Sequence, residues 1–169
     1  MLSQHIQDII NEQIKSEMYS AHLYLSMSAY CETINLSGFA KLLREHNEEE
    51  MSHAMRLFDY ILDRNSKVEL GAIDKPPSDF PSLLAVFEKV YEHEKAVTEM
   101  INNIYALSVK EKDYPTQVEM QWFISEQVEE EKTALHVLER IRMVGDSGPA
   151  LLFLDTHIIN EDEEVEEIR

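Results

Sequence analysis

The chain is poor in the residues that break helices. Its 169 residues include four glycines and five prolines. Gly38, Gly71, Pro76, Pro77, Pro81, Pro115, Gly145, Gly148 and Pro149 account for all of them. There is a single cysteine, Cys31, so an intrachain disulfide and a cysteine-based zinc or redox motif are excluded. No apolar run approaches the roughly 18 residues of a membrane span. Residues 1–10, MLSQHIQDII, carry neither a basic stretch nor a long apolar core, so no signal peptide is read and a cytoplasmic location is expected. Positive charge is scarce too. A net charge of −18 argues against binding to nucleic-acid phosphates or an anionic membrane, and it suits a protein that handles cations.

Between the breakers lie four uninterrupted runs, 1–37, 39–70, 82–114 and 116–144. They are rich in Glu, Leu, Ala, Lys, Met and Gln, all good helix formers. Ser3, Ser37 and Ser82 stand where helix caps belong, and Pro115 suits a first turn. The first and second helices join through a few residues near Asn35–Gly38, and the third and fourth near Asp113–Pro115. The link across 65–81 is long enough to reach about 56 Å. A helix of about 28 residues is roughly 42 Å long, so this link can traverse the bundle and start the third helix parallel to the second. The expectation is an all-α, ferritin-like four-helix bundle with one long crossover between helices 2 and 3. A short fifth helix is expected over 149–159. The domain is read as 1–160, and the acidic residues 161–169 as a disordered tail.

Residues 46–54 read HNEEEMSHA. Glu50 has Leu43, His53, Ala54 and Leu57 at −7, +3, +4 and +7, which is the apolar face of its helix. The other three runs repeat this. Glu17 lies among Ile10, Ile14, Ala21 and Tyr24. Glu94 lies among Phe87, Val90, Val97 and Ile101. Glu130 lies among Phe123, Ala134 and Val137, with Gln127 at −3. Each glutamate is near the middle of its run, and midpoints meet at one height whatever the helix directions. A buried carboxylate must pair or bind a metal, and the lysines and arginines fall elsewhere. Oxygen-rich ligation with one imidazole suits iron or manganese better than structural zinc. Bundle cores build dinuclear sites from glutamates on two helices and Glu-x-x-His on the other two. Helix 2 supplies Glu50-x-x-His53. Helix 4 has Thr133 where the second histidine would stand, and offers Gln127-x-x-Glu130 instead. One metal thus has a histidine and the other does not, and the second is expected to be held more weakly.

With Glu17 and Tyr24, EEEMSH (48–53), YEHEK (91–95) and WFISEQVEEE (122–131), the chain resembles the bacterial non-haem ferritins over essentially its whole length. The resemblance implies an iron storage protein that oxidises iron(II) with O2 or peroxide and deposits hydrated iron(III) oxide inside a shell of twenty-four subunits. It implies a first iron at Glu17, Glu50 and His53, and a second at Glu94 and Glu130, with Glu50 bridging and Gln127 close by. A third iron site from Glu49, Glu126, Glu129 and Glu130 is implied as well, and Tyr24 as an electron donor, against ordinary core packing of its ring. Trp122 reads as packing. Two alternatives are a haem-containing bacterioferritin, whose haem methionine matches Met51, and a shell that buffers metal without oxidising it. Thr133 departs from the bacterioferritin pattern, so no haem is expected.

Overall fold

The structure, a computed structural model, describes residues 1–145 and 147–166, with side chains as far as Ile158. Five helices make it up: α1 (Gln4–Thr33), α2 (Ser37–Asp63), α3 (Leu83–Glu111), α4 (Tyr114–Val144) and α5 (Gly148–Glu166). No strand occurs among the described residues, and none of the helices is long and apolar enough to cross a membrane. Of the expected disordered tail 161–169, the backbone of 161–166 continues α5 beyond the expected 149–159, and 167–169 lie outside the described residues.

Capping explains most helix starts. Ser3 accepts from the Ile6 amide and Ser82 from the Ala85 amide. Asp113 caps α4 by accepting from Thr116 at 3.1 Å, with Pro115 in the first turn as expected. Arg64 holds both Asp113 oxygens at 2.8 Å, tying the end of α2 to the start of α4. Ser37 does not cap α2. Leu36 occupies that position without a side-chain bond, and the Ser37 hydroxyl donates to Glu32. The cap comes instead from α5, where Asp155 Oδ1 accepts from the Phe39 amide at 2.9 Å. A carboxylate at a helix N-terminus satisfies an orphan donor and meets the positive end of the dipole.

Two apolar clusters fill the bundle. One joins the C-terminal half of α1, the starts of α2 and α3, the end of α4, and Leu154 and Ile158 of α5. The other joins Ile6, Ile10 and Ile14 of α1 to Leu57 and Ile61 of α2, Val97 to Ile104 of α3, and Met120 and Phe123 of α4. The assignment of helix halves to the two ends makes α2 and α3 parallel. The 64–82 link therefore runs the length of the bundle, as expected. It lies along α1: the Asn11 amide group donates to Lys67 O, Asn11 Oδ1 accepts from the Glu69 amide, and Ser26 donates to Pro77 O. Between the two clusters the buried residues are polar, and this layer holds the site.

Gly38 is where α5 lies against α2. A Cβ there would stand 1.8 Å from the Asp155 carbonyl oxygen and 2.9 Å from its Oδ1. A backbone atom cannot rotate away, so Gly38→Ala is expected to push α5 off the bundle end. That would uncover Leu154 and Ile158 and remove the Phe39 cap, at a cost of about 1–3 kcal/mol or more. Faster hydrogen exchange in 148–158, with little change in α1–α4, is the expected reading. Wild-type protection in 148–158 would refute this account of α5 docking.

Candidate metal centre

Each buried polar side chain of the central layer sits where its helix turns an otherwise apolar stripe inward. Glu17 and Tyr24 come from α1, Glu50 and His53 from α2, Glu94 from α3, and Gln127 and Glu130 from α4. All are buried, with Glu130 the most accessible at 7%. No lysine or arginine pairs with any of the four glutamates among the described residues. The nearest partner is His53, whose Nδ1 is 3.7 Å from Glu50 Oε2.

The ligand atoms gather in two overlapping groups, each within 4.8 Å. Glu17, Glu50 and His53 make one. Glu49, His53, Glu126 and Glu130 make the other. His53 therefore stands between them. Three of the four residues expected at the third iron site are together here; Glu129 is outside the group, 3.4 Å from Lys132 Nζ. Glu94 belongs to neither group. Its carboxylate accepts from the Tyr24 hydroxyl and, at 3.1 Å, from Gln127 Nε2.

Two carboxylate oxygens, Glu17 Oε2 and Glu50 Oε2, are buried without a hydrogen-bond partner, as is Gln13 Oε1. Such orphans are costly in a protein interior and call for an explanation such as a bound ion. A cation between Glu17, Glu50 and His53 would supply it, so the donor set fits a metal. Burial pushes the Glu50 carboxyl well above the ordinary range, and the charges of Glu17 and Glu94 add to the effect. Glu130 is raised in the same way, by burial and then by Glu49. Burial raises Glu94 too, against the lowering effect of the Tyr24 and Gln127 hydrogen bonds. Burial lowers His53, which favours the neutral, ligating imidazole. Tyr24 is held well above its usual value, first by burial and then by Glu94, so it remains a donor.

A metal ion needs these carboxylates deprotonated. Below their raised values the glutamates hold protons that a cation must displace, so apparent affinity rises with pH and levels off once they are ionised. His53, already neutral near pH 7, releases none. Zinc(II) binding to the metal-free protein, measured calorimetrically in buffers of different ionisation enthalpy, is expected to release protons at about pH 6, where carboxyls of ordinary value would already be ionised. No proton release at about pH 6 would show that the glutamates are not raised.

The sequence reading missed several contributors. Gln13 donates to Glu17 Oε1 at 2.8 Å; its only signal is its place four residues before Glu17 on the same face. His46 and His93 pack edge-on against the Tyr24 ring at 5.9 and 6.0 Å. Burial lowers both to about 4. Trp122 packs, as expected: its ring meets His53 edge-on at 5.5 Å, and the Arg56 guanidinium lies 4.0 Å above it.

A four-helix bundle with a full-length crossover and a carboxylate–histidine layer at mid-height defines a class of metal-handling bundles, and the family model for a Ferritin-like domain matches residues 7–144. The bacterial non-heme ferritin of Campylobacter jejuni is 42% identical over 160 residues, covering 95% of this chain and 96% of the relative. That of Escherichia coli O6:H1 is 37% identical over 158 residues, covering 94% and 96%. The crystal structure of an open pore ferritin from the archaeon Archaeoglobus fulgidus superposes with a TM-score of 0.91 at 44% identity, covering 92% of this chain and 95% of that one. The chain belongs to the bacterial non-haem ferritins and is an iron storage protein.

Proposed function

We propose that the central layer is a dinuclear ferroxidase centre. Glu17, Glu50 and His53 hold the first iron. Glu94 and Glu130 hold the second, with Glu50 bridging and Gln127 alongside. The observation that carries this reading is the pair of orphaned oxygens on Glu17 and Glu50 beside the neutral His53; among the described residues Gln13 Oε1, next to Glu17, is the one other buried side-chain atom without a partner. The two iron(II) ions each give up one electron, and together they reduce O2 or peroxide by two electrons. Iron(III) then leaves for the mineral. The second iron has no histidine and is the more weakly held, which favours passage over permanent tenure. Glu49, Glu126 and Glu130 form a third iron site that Glu129, outside the group, would have to join by leaving Lys132, and His53, a member of both groups, links it to the first. Tyr24, donating to Glu94, is positioned to supply an electron.

The assembled protein is a cytoplasmic shell of twenty-four copies, about 470 kDa from twenty-four chains of 19.7 kDa. It engages neither nucleic acid nor membrane. No haem is part of this reading, because Thr133 stands where bacterioferritins place a ligand histidine.

Stopped-flow mixing of iron(II) with the aerobic metal-free protein tests this directly. The fast phase is expected to saturate at two iron(II) per subunit, with further iron oxidised more slowly. A shell that only buffers metal would bind iron(II) without accelerating its oxidation above the protein-free rate. A haem spectrum in the purified protein would return the haem-containing reading.

A further inference from the structure

Gln127 is surrounded by acceptors. Its single amide nitrogen lies 3.1 Å from Glu94 Oε2, 3.2 Å from the Glu94 carbonyl and 3.2 Å from the Thr98 hydroxyl. A glutamine side chain has one acceptor end and one donor end, and their placement depends on what the neighbours demand. Glu94 demands a donor at both contacts. Thr98 is ambiguous, since a hydroxyl can give or receive. Its ambiguity is removed from outside: Thr98 Oγ1 is 2.6 Å from Glu131 Oε1, and a carboxylate only accepts. The Thr98 hydrogen has only acceptors to choose from, Glu131 Oε1 at 2.6 Å and the Glu94 carbonyl at 3.0 Å, so toward Gln127 its oxygen is left to accept. The polar chain runs one way, from Gln127 to Thr98 to Glu131, while Gln127 and Tyr24 both donate to Glu94. Thr98, Gln127 and Glu131 line one cleft of about 310 Å³ between α3 and α4, with Ile101, Ile124 and Val128.

We infer that Thr98, held by Glu131, is a positioning residue. It fixes the orientation of the Gln127 amide, and through Gln127 it orients the Glu94 carboxylate that receives the second iron. Neither Thr98 nor Glu131 belongs to either ligand group. The inference rests on the dinuclear reading above. Partners of this kind orient metal ligands, and their loss typically costs about 10–100-fold in metal affinity. Without the Thr98 hydroxyl the amide loses one of its acceptors, and Glu94 is no longer presented by a locked neighbour. Among the described residues, no hydrogen bond joins Glu17, Glu50 or His53 to Gln127, Thr98 or Glu131.

Anaerobic cobalt(II) titration of the assembled protein, followed by visible absorption and circular dichroism, resolves two binding steps if the centre is dinuclear. Thr98→Val keeps the side-chain shape and removes the hydroxyl. It is expected to raise the Kd of the second step about tenfold and leave the first within twofold. Thr98→Ser restores the hydroxyl and is expected to return the second step to the wild-type value. An unchanged second step in Thr98→Val overturns the inference. So does equal weakening of both steps, or failure of serine to rescue, either of which would mark Thr98 as structural only. A single cobalt step in the wild type, or a second step that survives Glu94→Ala, would instead strike down the dinuclear reading and the inference with it.

Discussion

The double variant Glu50→Ala/His53→Ala is expected to lose the fast oxidation of iron(II) by about 100-fold or more, beyond what loss of a supporting partner alone would cost, while remaining folded. These two residues carry most of the first group: one is the proposed bridge, and the other is the one imidazole, shared by both clusters of ligand atoms. Their removal leaves Glu17 alone at the first position, and the electron pair for O2 is no longer assembled at one place. The metal-free bundle should tolerate the loss. Glu50 is a carboxylate forced up by burial with one oxygen unpartnered, so it strains the metal-free fold. Replacing a badly paired buried charge is often neutral or stabilising by about 1–4 kcal/mol. Alanine also opens a cavity, which works in the other direction. Glu50→Gln separates the two effects, because it keeps the volume and removes the charge. It is expected to raise the melting temperature of the metal-free protein and to slow oxidation. Wild-type oxidation by the double variant would show that the ferroxidase centre lies elsewhere.

The four glutamates were legible in the sequence because the signal is local and repeated. Each breaks an apolar stripe at helical spacing, at the middle of a run whose ends are marked by glycine, proline or serine. Such a pattern needs no tertiary knowledge beyond the rule that midpoints meet. The crossover was legible for a similar reason, since its length alone decides that it can span the bundle. What the sequence hid is what depends on side-chain choice after the helices have packed. The Asp155 cap on α2 joins residues 116 positions apart, and Ser37 offered a plausible local cap in the same place. Glu94 and Glu50 look alike in sequence. In the structure Glu94 is satisfied by Tyr24 and Gln127, whereas Glu50 retains an orphan oxygen. Likewise Thr98 and Glu131 read as an ordinary helix surface until α3 and α4 bring them to 2.6 Å.

The outward face of α5 is expected to hold the shell together, and substituting it should dismantle the particle without unfolding the subunit. The sequence exposes six apolar side chains in this segment, and the structure divides them. Leu154 and Ile158 turn inward and complete the apolar cluster at the bundle end. Leu151 is partly buried against that cluster, while Leu152 and Phe153 stand 57% and 67% exposed. The side chain of Ile159 lies outside the described residues. Phe153 stacks on His157 at 4.2 Å, which holds the ring in one orientation on the surface. The docked face and the outward face of α5 do different work. The docked face fixes α5 to its own bundle. The outward face is an apolar patch of the kind that contacts other copies in closed assemblies. Deleting 148–169 would remove both faces at once and uncover the core. Leu152→Ser/Phe153→Ser removes only the second. The double variant is expected to keep wild-type helicity and α5 protection, yet to dissociate toward dimers in native mass spectrometry at concentrations where the wild type is expected to remain the proposed particle of about 470 kDa. Its iron-loaded particles should also lose mineral faster. A wild-type particle of twelve would overturn the twenty-four-subunit shell. A double variant as resistant to dissociation as the wild type would show that the shell closes without this face.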